Sequence, residues 1–225
     1  MQLNKNKKKI PLIVKIFDPR MFFYDLVKWT GALSVVIFFR QKRHYINGKK
    51  QKGLFKGSSI IVANHTSFLD PLVIANAFWC KRAGFLATSA LFKNKFRRIL
   101  FTGFGCIEVN KENVSVSTFK KTTKMLNRGH SLIVFPEGQV IRDGDISRFK
   151  SGAILMALFA NVPIIPAYVV KRENWWHRQH IIIGEKFYVS DYIKSPIPSM
   201  EEIEEVTRIL HDKEAELEKI GKKEK

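Results

Sequence analysis

The residues of this chain best suited to chemistry are His65 and Asp70, within Asn64-His65-Thr66-Ser67-Phe68-Leu69-Asp70. An imidazole whose tautomer is fixed by a carboxylate can take a proton from a hydroxyl through its second nitrogen, and the carboxylate then stabilises the imidazolium. Groups five residues apart lie about 140° apart on an ideal helix, so this pair meets only if His65 sits in a turn ahead of the helix. The flanking residues supply that turn. Ser59-Ile60-Ile61-Val62-Ala63 is short, β-branched and preceded by Gly57, which marks a buried strand, and Pro71 to Trp79 reads as a helix. Two versions of the junction are open. Ser67 with Asp70 three residues on resembles a capping box with Asp in the Glu position, whereas Asp70 before Pro71 reads as an N-cap with proline at the first helical position. Either brings Asp70 near His65. In a chain of this composition the spacing arises by chance roughly one time in five, so the pair needs support from elsewhere.

Three further segments supply it. Ser131-Leu132-Ile133-Val134-Phe135 is a second buried-strand run ending in Pro136-Glu137-Gly138, followed by Arg142, Asp143, Gly144, Phe149, Lys150 and Gly152. Gly105 to Lys111 lies between the two strands, and Val162-Pro163-Ile164-Ile165-Pro166-Ala167 follows them. With these four blocks in order, the chain from Gly53 to Val170 resembles the 1-acylglycerol-3-phosphate acyltransferase family. The resemblance implies a central mixed β-sheet flanked by helices, catalytic His65 and Asp70, and no metal or resident cofactor. It also implies a lysophospholipid acceptor and an acyl-CoA or acyl-carrier protein as donor. Glu137 and Gly138 match the third block, and Pro163 and Pro166 the fourth. Lys111 stands where the family usually has Arg, and Gln139 and Val140 stand where it usually has Thr and Arg. These departures fall on the positions that, by the resemblance, hold the acceptor's phosphate in this family. Lys111 keeps a charge without the bidentate fork of Arg. Arg142, two positions beyond Val140, and Arg148 and Lys150 close by are the candidates to replace the missing cation, and Lys111, Glu137, Gly138, Arg142 and Lys150 form the expected substrate-binding set.

Composition fits an α/β domain with an appendage. The 225 residues carry a net charge of +19, which calls for an anionic partner. Residues 1 to 52 hold 13 Lys and Arg against Asp18 and Asp25, a net of +11, interleaved with apolar runs such as Trp29 to Phe39. Basic and aliphatic segments together suit an anionic membrane surface rather than nucleic acid. The 11-residue uncharged, largely apolar stretch from Trp29 to Phe39 falls short of the ~20 needed to cross a bilayer, and both flanks are basic, so interfacial or half-inserted helices are favoured over a span. The chain is therefore read as an N-terminal membrane-associating helical segment, 1–44, and an acyltransferase domain, 45–225. A membrane-associated protein facing the cytoplasm is expected, with no signal peptide and with Cys80 and Cys106 reduced.

The remaining elements read as scaffold. Ser89 to Thr102, Asn113 to Arg128 and Ser151 to Ala160 read as helices, and Ile164 to Val170 and Ile181 to Ile183 as strands, an alternation typical of α/β folds. Ser199 and Glu202 form a capping box ahead of a helix over 200–220 with the apolar stripe Ile203, Val206, Leu210 and Leu217. His177 and His180 have a metal-like spacing without an evident third ligand, and the adjacent Trp175-Trp176 favours an aromatic surface contact. Two rival functions remain open. One is a related acyltransferase using another lysolipid or an amino-acid lipid. The other is a non-catalytic basic protein that binds membrane or nucleic acid, for which His65 and Asp70 would be dispensable.

Overall fold

The computed structural model describes residues 24–26, 40–67, 69–110, 115–135, 146–174, 176–195 and 197–224, with backbone only over 146–150. Seven strands form one sheet: β1 (Lys42–Tyr45), β2 (Ile60–Ala63), β3 (Ala83–Thr88), β4 (Cys106–Val109), β5 (Ser131–Val134), β6 (Ile164–Val169) and β7 (His180–Ile183), in the order β1-β7-β6-β2-β5-β3-β4. From β6 to β4 every pairing is parallel. Only β6 and β7 pair antiparallel, and β1 lies parallel to β7, so the sheet is mixed. The carboxyl ends of β2 and its parallel neighbours consequently share one edge. The chain leaves β2 toward β3 on one side, while β5 crosses over β2 to reach β6 on the other. Such a reversal opens a crevice outside the carboxyl end of the central strand.

The continuous apolar runs mark strands covered on both faces. Ile60 to Ala63 are wholly buried, 0% exposed. Ile60 and Val62 face a core built with α3 (Val116–Asn127), α4 (Ile146–Ala160) and α5 (Met200–Lys223). Ile61 and Ala63 face a second core under α1 (Asp70–Ala77). The expected capping box at Ser199 is present, with Ser199 Oγ accepting from the Glu202 N–H and Glu202 reaching back to the Ser199 N–H. Ile203, Val206, Leu210 and Leu217 are all buried.

The structure departs from the sequence reading at three places. The helix expected from Ser89 to Thr102 is a 3-10 turn, Ser89–Phe92, followed by α2 (Lys95–Gly103), because Asn94 stops one and caps the other by accepting from the Arg97 N–H at 2.9 Å. Strand β3 carries Ala and Gly rather than β-branched residues. At Gly84 a Cβ would come within 2.3 Å of the Gly105 carbonyl oxygen and 2.5 Å of Met125 Cε, so packing excludes a side chain there. Residues 42–44, assigned by sequence to the N-terminal segment, enter the sheet as edge strand β1. The helices expected within residues 1–44 lie otherwise outside the described residues, save Tyr24 to Leu26. There the Tyr24 hydroxyl donates to the Lys81 carbonyl, and Asp25 Oδ1 pairs with Arg82 Nε at 2.8 Å in a buried setting. No helix among the described residues is long and apolar enough to cross a membrane.

Lys81 offers a pH test of this end of the fold. It is 4% exposed, its Nζ donates to the Gly57 carbonyl at 2.6 Å, and burial pushes its ammonium down from 10.5 to about 8. Between those values the unfolded chain binds more protons than the native one, so Lys81's contribution to stability grows as pH rises through that window. Urea unfolding at each pH should show the difference between wild type and Lys81→Met increasing by about 3 kcal/mol across it. A flat difference would show that the ammonium stays hydrated.

Candidate active site

Strand β2 ends at Ala63, and Asn64 anchors the turn beyond it. Asn64 straddles the neighbouring strand: its Nδ2 donates to the Val169 carbonyl at 3.0 Å and its Oδ1 accepts the Val169 N–H at 2.7 Å. A side-chain amide thus continues the β2–β6 ladder one residue past the strand and sets the direction in which His65 leaves. His65 sits in the turn, as its spacing to Asp70 requires. Its Nδ1 lies 3.1 Å from Asp70 Oδ2. The side chains differ in access, His65 at 33% exposed and Asp70 at 3%, so the carboxylate is sealed and the ring is reachable.

Asp70 is the organiser of the turn. The same Oδ2 accepts the N–H groups of Thr66 and Ser67, each at 2.6 Å, so three donors converge on one buried oxygen. Neither expected cap geometry is realised. Leu69 is the N-cap without a side-chain bond, Asp70 is the first helical residue, and Ser67 Oγ accepts from the Leu69 N–H at 3.3 Å. The backward reach of Asp70 to the Ser67 N–H reproduces one half of a capping box. At the positive end of α1 its charge is also favourably placed. The Thr66 and Ser67 N–H groups are therefore committed to Asp70 and do not serve an oxyanion. With Nδ1 held by the carboxylate, proton transfer falls to Nε2 of His65.

Block three meets block one here. The His65 ring packs on Phe135, just past β5, with centroids 4.7 Å apart and planes inclined by 31°. Of the expected substrate-binding set, Lys111, Glu137, Gly138 and Arg142 lie outside the described residues; Lys150 falls in α4, its side chain likewise undescribed. On the Asp70 side of the pair a cleft of about 310 Å³ is lined by Thr66, Ser67, Asp70, Val169, Lys171 and Arg172 among others, but not by His65. Asn64, Lys171 and Arg172 were not singled out from the sequence. The partner of Asn64 is 105 residues away in the chain, so no local pattern announces it. His177 and His180 do not form a metal pair: His177 meets Trp176 edge-on at 6.2 Å, whereas His180 stacks on His44.

A histidine held by a buried carboxylate, at the carboxyl end of a central parallel strand where the sheet order reverses, defines an α/β protein equipped for general-base chemistry. Residues 39–170, more than half of the chain, match the family model described as Acyltransferase, and the chain belongs to that family. It is 30% identical over 162 residues to the 1-acyl-sn-glycerol-3-phosphate acyltransferase of Borreliella burgdorferi, covering 70% of this chain and 64% of that one. To the Bacillus subtilis protein of the same name it is 24% identical over 193 residues, covering 84% and 94%. The chain spans about half to two thirds of the length of the first curated relatives it matches. The crystal structure of the 1-acyl-sn-glycerophosphate acyltransferase PlsC from Thermotoga maritima has the same fold, with a TM-score of 0.55, 17% identity, and coverage of 95% and 97%.

Proposed function

We propose that this protein acylates the free hydroxyl of a lysophospholipid, with 1-acylglycerol-3-phosphate as acceptor and an acyl thioester of coenzyme A or acyl-carrier protein as donor. The observation that carries the reading is the reachable His65 ring held through Nδ1 by the sealed Asp70 carboxylate. Nε2 of His65 removes the hydroxyl proton as the oxygen attacks the thioester carbonyl. The tetrahedral oxyanion collapses with cleavage of the carbon–sulfur bond, and the thiolate recovers the proton from the imidazolium. The products are the diacyl ester and a free thiol, and no cofactor beyond the donor is consumed. The discriminating experiment is an acceptor panel: full-length protein, labelled acyl-CoA or acyl-carrier protein, and lysophospholipids with and without a terminal phosphomonoester. Labelled phosphatidic acid is the expected product. Labelling of only neutral or amino-acid lipids would move the acceptor, and no labelling with any pair would favour the non-catalytic reading.

An anionic membrane surface is the proposed partner, and α2 is a second contact beside the N-terminal segment. This helix buries no residue fully and presents Phe96 at 75% and Ile99 at 65% exposure one turn apart, with exposed Lys93, Lys95 and Arg97 around them. Val116, 71% exposed, opens α3 just beyond β4. Because β3 and β4 run parallel to β2, α2 and α3 both begin at the edge that carries His65. An apolar pair ringed by cations suits insertion among anionic headgroups and would seat the catalytic edge on the bilayer. Deleting residues 1–44 would also remove β1 and the buried Asp25–Arg82 pair, so point variants are the sound test. Phe96→Glu with Ile99→Glu should lower partition onto phosphatidylglycerol vesicles about tenfold or more, with little change in thermal stability. Unchanged cosedimentation would place the contact elsewhere.

A further inference from the structure

His44 on β1 and His180 on β7 are 136 residues apart in sequence, yet the parallel register, Lys42 opposite His180 and His44 opposite Ile182, puts both on one face of the sheet. Ile182 on that face packs with Val170 and Leu217 beneath α5. Gly221 lets the helix descend: a Cβ there would come within 2.8 Å of the Tyr168 ring. This close approach delivers Glu224, the C-cap of α5, to the two imidazoles. A carboxylate at the negative end of a helix dipole is unfavourably placed unless a cation offsets it.

The three groups are spaced for a shared ion rather than for hydrogen bonds. Glu224 Oε2 lies 3.4 Å from His44 Nδ1 and 3.8 Å from His180 Nδ1, longer than good hydrogen bonds. One ligand atom from each residue falls within 4.8 Å of the other two. Four ligands at about 2.0–2.2 Å around a tetrahedral ion stand about 3.3 Å from one another, so shifts of a few tenths of an ångström up to about an ångström close the set. His180 Nδ1, which faces Glu224, is buried without a hydrogen-bond partner, as a nitrogen left for a metal ion would be. The rings stack with centroids 5.0 Å apart and planes inclined by 26°.

We infer that His44, His180 and Glu224 form a structural site for a first-row divalent transition metal, zinc by preference, clamping the end of α5 to the β1–β7 edge of the sheet. Two imidazoles and a carboxylate suit Zn²⁺ and disfavour Mg²⁺ or Ca²⁺, which take mostly oxygen ligands; a water completes the tetrahedron. The site is separate from the reaction, since β7 and β6 stand between β1 and the strand that leads to His65.

Calorimetric titration of tag-free, chelator-stripped full-length protein with zinc chloride tests the clamp. One equivalent should bind with a Kd of about a micromolar or tighter, and the unfolding temperature should rise with zinc concentration. His44→Ala and His180→Ala should each weaken binding at least tenfold and remove the thermal shift. Glu224→Gln, on the partly exposed helix end where refolding is not in question, should weaken binding in the same direction. His177→Ala should bind as wild type, and so should His65→Ala. No zinc binding, full binding in Glu224→Gln and His44→Ala, or binding that follows His65 instead would overturn the site while leaving the acyl-transfer reading untouched.

Discussion

His65→Ala is expected to lower acyl transfer by about a thousandfold or more, in turnover rather than in acceptor binding, with the thermal unfolding temperature close to wild type. The ring is one third exposed and its loss opens no cavity in either core, so stability and catalysis separate at this position. Asp70 is different because one oxygen serves three donors. In Asp70→Asn the amide oxygen can occupy the same place, keeping the turn and the Nδ1–H tautomer and losing only the negative charge opposite the imidazolium. The rate should then fall by about a hundredfold to a thousandfold while the fold persists. Asp70→Ala removes the acceptor shared by the Thr66 and Ser67 N–H groups, which lie on exposed residues and can turn to water, so it should loosen the turn and lose about 1 kcal/mol of stability as well as rate. Single-turnover kinetics beside thermal melts resolve the three variants. Near-native turnover in His65→Ala would falsify the assignment of the base.

The order of that turn was half legible in the sequence. Spacing alone placed His65 outside the helix and Asp70 within reach of it, and the structure bears this out at 3.1 Å. The cap was not legible, because both local rules assumed that Asp70 serves the helix it begins, whereas its oxygen faces backward to the residues before Leu69. Asn64 was invisible for the reason that hides most positioning residues: its partner, Val169, is fixed by strand order and not by sequence neighbourhood. The same distinction sorts the strands. β2, β5 and β6 are covered on both faces and read as apolar runs, so composition betrays them. β1 is an edge strand of Lys, Arg, His and Tyr, and β3 is shaped by the contact that keeps Gly84 bare. β1 carries no apolar signal and β3 lacks β-branched residues to mark its apolar run as a strand, so pairing with β7 for the one and with β5 and β4 for the other is what makes them strands.

With 1-acylglycerol-3-phosphate as the proposed acceptor, its phosphate provides the other large expected effect, because two sets of cations are candidates to hold it. Lys111, Arg142 and Lys150 belong to the blocks matched to the family. Lys171 and Arg172 line the cleft on the Asp70 side of the pair. The hydroxyl to be acylated is adjacent to the phosphate in a glycerol phosphate and must reach Nε2, the nitrogen turned away from Asp70. A phosphate held by Lys171 and Arg172 would draw that hydroxyl toward the sealed carboxylate, where Thr66 and Ser67 already saturate Oδ2. Each charge-assisted bond lost costs about 1.5–3 kcal/mol, so Lys111→Ala, Arg142→Ala and Lys150→Ala should use lysophosphatidate roughly tenfold to a hundredfold less well, and a neutral acceptor nearly as before. Lys171→Ala and Arg172→Ala should change the ratio of the two acceptors little. Val140→Arg, restoring the bidentate fork the family usually has, should raise lysophosphatidate use if cation supply limits it. Measured as kcat/KM for both acceptors, the opposite pattern, with Lys171 and Arg172 setting the preference, would move the phosphate to the side cleft and require a different nitrogen or a turned ring to reach the hydroxyl.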